Sequence, residues 1–289
     1  STGVQNTLIG GRAGDAITTG EFNVAMGYNA LSSATDTDQS VAIGHGALAA
    51  LNYSGDSNNT AVGHNAGGAL VGGIKNTLLG AFAGDALVGG HKNVAVGYNA
   101  LSTEDGDGRN VAVGHEALKN QNAGVDAYNV AIGYDAGLSV TTGASNVIVG
   151  GLAGDALTTG SGNIAVGFQA LSSEDGHGTN VAIGHNSLAT LNAGADAYNV
   201  AMGYHAGMGM TTGKKNTLIG GLAGDALTTG EFNVAIGYLA LTNQNAGSNA
   251  FNVAVGASSG AAVTTGTNNV LLGTSTGERI TTGEKNVAI

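Results

Sequence analysis

Cysteine, proline and tryptophan are absent from this chain of 289 residues, and aromatic residues are scarce at 4%. Without cysteine there is neither a disulfide nor a thiolate metal site, and the redox compartment stays open. Without proline, and with glycine at 52 positions rather than at every third, a collagen triple helix is excluded. Charge is equally sparse: 10% of residues are Asp, Glu, Lys or Arg, against about a quarter in ordinary domains. Nine Lys and Arg in a chain of net charge −11 cannot neutralise a row of phosphates, which excludes nucleic acid as a partner and disfavours an anionic membrane surface. No apolar run approaches the roughly 18 residues of a spanning helix, so membrane insertion is not expected, and no signal-peptide pattern follows Ser1. The apolar share is nevertheless 42%, too high for a chain kept unfolded by charge repulsion.

What the chain has in abundance is repetition. The word Asn-Val-Ala-Ile-Gly and its variants start at Asn6, Asn23, Ser40, Asn59 and Asn76, and continue to Asn286 at spacings of 17 or 19 residues. Each run of four spacings sums to 70, so Asn6, Asn76, Asn146, Asn216 and Asn286 share one phase: four super-repeats in a single repetitive domain spanning residues 1–289. With the Asn as position one, position four is Val, Ile, Leu or Met, position five is Gly, and position eight is Ala, Ser or Thr. Position nine is either Gly (Gly14, Gly84, Gly154) or Leu (Leu31, Leu101, Leu171), and many units then turn on Thr-Thr-Gly.

Seventeen residues are too few for a helix-pair repeat, and a β-branched word followed by Gly reads as a strand and a turn. The expected fold is all-β: a parallel β-solenoid whose coils each hold two short strands and two turns and stack about 4.8 Å apart. Glycine at position five supplies an unusual φ or a close backbone approach. Asparagine at position one suits a turn and can bond to its copy in the next coil. The two-residue extensions of the longer coils carry Asn122-Ala123-Gly124, Asn192-Ala193-Gly194 and Asn245-Ala246-Gly247, loops on one edge.

The strand word does not alternate in polarity, and continuous apolar runs mean burial on two faces. Positions two and four are therefore assigned to the coil interior. Position three, enlarged at Leu8, Leu78, Ile148, Leu218 and Leu271, is assigned to a seam between chains. The chain starts within a turn and stops within a strand word, without the polar caps a solenoid needs, and so reads as a window of a longer fibre polypeptide.

The word Asn-Val-Ala-Ile-Gly-x-x-Ala resembles the head repeats of trimeric autotransporter adhesins, and with its Thr-Thr-Gly turns it is similar to the long repeat regions of bacterial and phage tail-fibre-domain proteins. The resemblance covers nearly the whole chain. It implies a left-handed β-roll associating as a homotrimer, an extracellular place on a cell surface or virion, and a role in the shaft of a fibre.

Chemistry-bearing residues are few. The column after the position-five Gly holds Tyr28, His45, His64, Tyr98, His115, Tyr134, Phe168, His185, Tyr204 and Tyr238, a candidate stacked edge for glycan rings or a pH response. The loop of Glu104, Asp105 and Asp107 is a weak calcium candidate, lacking the spaced ligands of an EF-hand. No nucleophile elbow or phosphate loop is present, and no cofactor or catalytic residue is expected. The expected function is structural, with self-association as the main partnership. A glycan- or ice-binding solenoid face is the alternative. A depolymerase tailspike is a third reading, needing a carboxylate pair about 5–10 Å apart that the repeat does not supply.

Overall fold

The computed structural model describes residues 3–104 and 108–289. It is an all-β parallel solenoid of about sixteen turns, and no helix occurs among the described residues. The chain divides into two compact units, Ser1–Ser145 and Asn146–Ile289, the second starting in phase with the super-repeat.

In the first unit the strand words form β1 (Thr7–Ile9), β2 (Val24–Met26), β4 (Val41–Ile43), β6 (Thr60–Val62), β7 (Thr77–Leu79), β8 (Val94–Val96), β9 (Val111–Val113) and β10 (Val130–Ile132). They pair in that order, parallel and in register, so that Val24 sits beside Val41 and Ala25 beside Ala42. Most coils hold one strand rather than the expected two, the remainder of each coil being turns. The exception is the small pair β3 (Thr37–Asp38) with β5 (Gly55–Asp56). The second unit repeats the scheme from β11 (Val147–Val149) to β19 (Val287–Ala288), again in register. Turns take the place of the second strand because positions seven and nine are left-handed: Asn29 has φ 58° and Leu31 has φ 54°.

Two backbone devices hold successive coils together. The position-one Asn is buried, and its Oδ1 accepts the backbone N–H of the next coil's Asn, as from Asn76 to Asn59 and from Asn93 to Asn76, both at 2.9 Å. Its Nδ2 donates to a carbonyl 14 residues further on, from Asn76 to Gly90 at 2.8 Å. Most coils thereby satisfy polar groups that a neighbour would otherwise leave buried and unpaired, although the Nδ2 atoms of Asn93 and Asn110 make no hydrogen bond among the described residues. The position-five Gly combines both properties expected of it. Gly80 has φ +135°, and a Cβ there would collide with the Gly97 carbonyl oxygen.

The face assignment made from sequence is inverted. Leu78, Ile148, Leu218 and Leu271 are fully buried inside their coils, and Leu8 is 42% exposed only in β1, which has a single strand neighbour. Position one is an inward Asn, so alternation sends position three inward as well and turns positions two and four outward. Val41 and Ile43 are accordingly half-buried about a fully buried Ala42. Leu78, Ile148, Leu218 and Leu271 are core, not an interchain seam, and Leu8 occupies the same inward column at the start of the first unit.

The interior is filled by columns that exchange volume. Where position three is Leu78, Gly84 stands at position nine of the same coil and Gly67 in the coil before, each with the Leu78 side chain against the site of a missing Cβ. Where position three is Ala95 or Ala112, position nine is the buried Leu101 or Leu118. Those leucines are left-handed (φ 52° and 50°), at a cost of about 1–2 kcal/mol each, which full burial of the side chain offsets at about 2–3 kcal/mol.

A candidate ligand-binding edge

The residue after the position-five Gly leaves the strand ribbon and points outward. In-register stacking lays its copies side by side at close to the spacing of parallel strands. Tyr28 and His45 have ring centroids 5.5 Å apart at an interplanar angle of 25°, and His45 and His64 are 5.1 Å apart at 9°. Tyr98, His115 and Tyr134 continue the pattern at 5.5 and 5.1 Å. In the second unit Phe168, His185 and Tyr204 follow at 5.3 and 5.6 Å. The residues singled out from sequence are thus brought together, except Tyr238, which lies beside the small Gly221 and has no ring contact among the described residues.

Two further rings belong to this edge and were missed. Where position six is Ala81, Phe82 at position seven turns its ring into the gap, 5.0 Å from His64 and 6.1 Å from Tyr98. His205 stacks on Tyr204 at 3.7 Å and 14°. Both are left-handed residues at position seven, and the signal available in the sequence was the aromatic that follows a small position six or adjoins another aromatic. The ring edge remains about half open to solvent: Tyr28 is 49% exposed, Tyr134 58% and Tyr204 55%.

The charged groups beside the edge are paired with one another. His115 Nδ1 lies 3.3 Å from Asp135 Oδ1, and the Lys119 ammonium donates to Glu116 at 2.8 Å. That hydrogen bond from Lys119 is the main reason the Glu116 carboxyl is held below the ordinary carboxylate range. A shallow hollow nearby is lined by Gly46, Asn65 and Asp85, and burial raises the Asp85 carboxyl. Of the calcium candidate, Glu104 is fully buried at position twelve, whereas Asp105 and Asp107 lie outside the described residues.

Coil length, in-register parallel pairing and the Asn ladder define a parallel β-solenoid repeat protein. No protein-family model matches the chain, and no curated protein sequence matches it.

Proposed function

We propose that this chain is a structural subunit of an extracellular fibre that associates with further copies of itself through the outward face of its strand ribbon. The observation that carries the reading is the chemistry of that face. Positions two and four present β-branched and aliphatic side chains that stay partly open to water, with Met26 at 41%, Ile132 at 41%, Met202 at 39% and Ile236 at 36% exposure. A solvent face of a strand ribbon is ordinarily polar, and one that is largely apolar, interrupted here only by Thr7, Thr60, Thr77 and Thr217 at position two, marks an interaction surface. Because the face repeats every coil, its complement is another surface of the same period, which a second copy of the chain supplies. Backbone pairing along each unit, with no proline to interrupt it, gives the stiffness a fibre needs.

The test is the solution mass, by sedimentation equilibrium, of the wild type and of an Ile43→Lys, Ile183→Lys variant. A mass of three chains that falls to one in the variant supports the proposal, and a monomeric wild type overturns it. The stacked, half-exposed rings favour a second reading in which the Tyr/His edge holds glycan rings. Glycan binding lost on Tyr98→Ala, with the chain mass unchanged, would support that role.

A further inference from the structure

Position twelve points into the coil and is apolar in most coils. Among its buried members are Leu157 and Leu191, and between them in the column stands Glu174, whose side chain is 0% exposed. A carboxylate in that setting needs strong partners, and the one cationic partner of Glu174 among the described residues is the His177 imidazole, 3.5 Å away, which is charged only when protonated. Its Oε2 accepts a long 3.4 Å bond from the Ala193 N–H and the His177 backbone N–H also acts on the carboxylate, but its Oε1 makes no hydrogen bond of good geometry. By contrast Gln121, at the same position of another coil, accepts a 2.7 Å bond from Asn129 Nδ2.

The unsatisfied Oε1 faces other ligand-type atoms. His177 Nδ1, itself buried without a hydrogen-bond partner, lies 3.5 Å away. The Asp175 carboxylate completes a cluster in which one donor atom from each residue lies within 4.8 Å of the others. The loop that presents them is anchored by its backbone. Thr158 donates from N and from Oγ1 to the Asp175 carbonyl at 2.5 and 2.6 Å, and Asn163 Nδ2 donates to the His177 carbonyl at 3.1 Å.

We propose that Glu174, Asp175 and His177 bind one divalent transition-metal ion of the zinc class, with water completing its coordination. Two ligands about 2.0–2.1 Å from a tetrahedral ion lie about 3.3 Å from each other, close to the Glu174–His177 separation already present. A dipositive ion supplies the charge the buried carboxylate lacks. The imidazole nitrogen favours zinc, cobalt or nickel over calcium or magnesium. Seventy residues earlier the same loop reads Glu104-Asp105-Gly106-Asp107, and seventy later Gly247 stands where His177 does, so the histidine is the feature that distinguishes this copy.

The test is titration of the chelator-treated full chain with Zn2+, and with Co2+ followed by its visible absorption. Glu174→Gln is compatible with the column, since Gln121 and Gln244 are buried there, and His177→Gly copies position 247. The expected result is one site of micromolar or tighter affinity, weakened at least tenfold in each variant with the circular dichroism unchanged. His45→Ala should leave that site intact, and His177→Asp should shift preference from Zn2+ towards Ca2+ or Mn2+. Absence of saturable binding, undiminished binding in both Glu174→Gln and His177→Gly, or loss of the site in His45→Ala would overturn the proposal.

Discussion

The strand ribbon and the insertion loop of a single coil use the same amino acid under opposite constraints. Gly114, at position five, has φ +141°, and a Cβ there would be driven into the Gly133 carbonyl oxygen of the next coil. Gly124, in the two-residue extension of that coil, has φ +64° and open space within 4 Å of where its Cβ would lie. The ribbon demands glycine because two backbones approach, whereas the loop demands it only for its dihedral angle. Sequence latitude follows: positions one and five vary little, while positions twelve onward admit Leu, Val, Met, Gln and Glu and carry the insertions.

The most disruptive way to test the contrast is Gly114→Ala, where the colliding atoms are backbone and cannot turn aside. Chemical denaturation should show a loss of about 4 kcal/mol or more, or no cooperative fold. Next comes the interior. Leu78→Ala should cost about 3 kcal/mol, and adding Gly84→Leu should restore a good part of it, because positions three and nine fill one space and Leu101 shows that leucine tolerates the left-handed backbone. A double-mutant cycle with no coupling would refute volume exchange. Asn76→Ala strands the Asn93 N–H and the Gly90 carbonyl, and thermal or urea unfolding should register about 2 kcal/mol.

On the loop side the effects shrink. Gly124→Ala should cost only about 1 kcal/mol, the left-handed penalty without a collision. The smallest effect concerns Asp85, whose carboxyl burial holds above its ordinary 3.8. The folded state therefore binds the proton more tightly than the unfolded one, so stability from this group is present at low pH and is lost as pH rises through and above 3.8. Melting temperatures measured from about pH 3 to pH 7 should show a shallower decline with rising pH in Asp85→Asn than in the wild type.

Much of this was legible in the residues. Spacings of 17 and 19, a β-branched word and an Asn at each start specify stacked parallel strands and an Asn ladder, because an identical word at each step allows a single in-register pairing. The inward face was misread because an apolar Val-Ala-Ile word looks alike from both sides. The missed signal was the pairing of large position three with small position nine, as in Leu78 with Gly84 and Ala95 with Leu101. That pairing has meaning only if both columns point into one interior. The Glu174 cluster was harder to see, since Glu174 and Asp175 look like an exposed acidic turn until the coil closes.

Periodicity alone therefore determined the coil, its strand register and the need for glycine at position five, since these are local rules repeated along the chain. Which side of each strand meets the core, where Phe82 and His205 place their rings, and how a carboxylate comes to lie beside an imidazole inside an apolar column were decided only by tertiary structure. Those outcomes depend on how much volume and polarity neighbouring coils leave for one another, and no single coil contains that information.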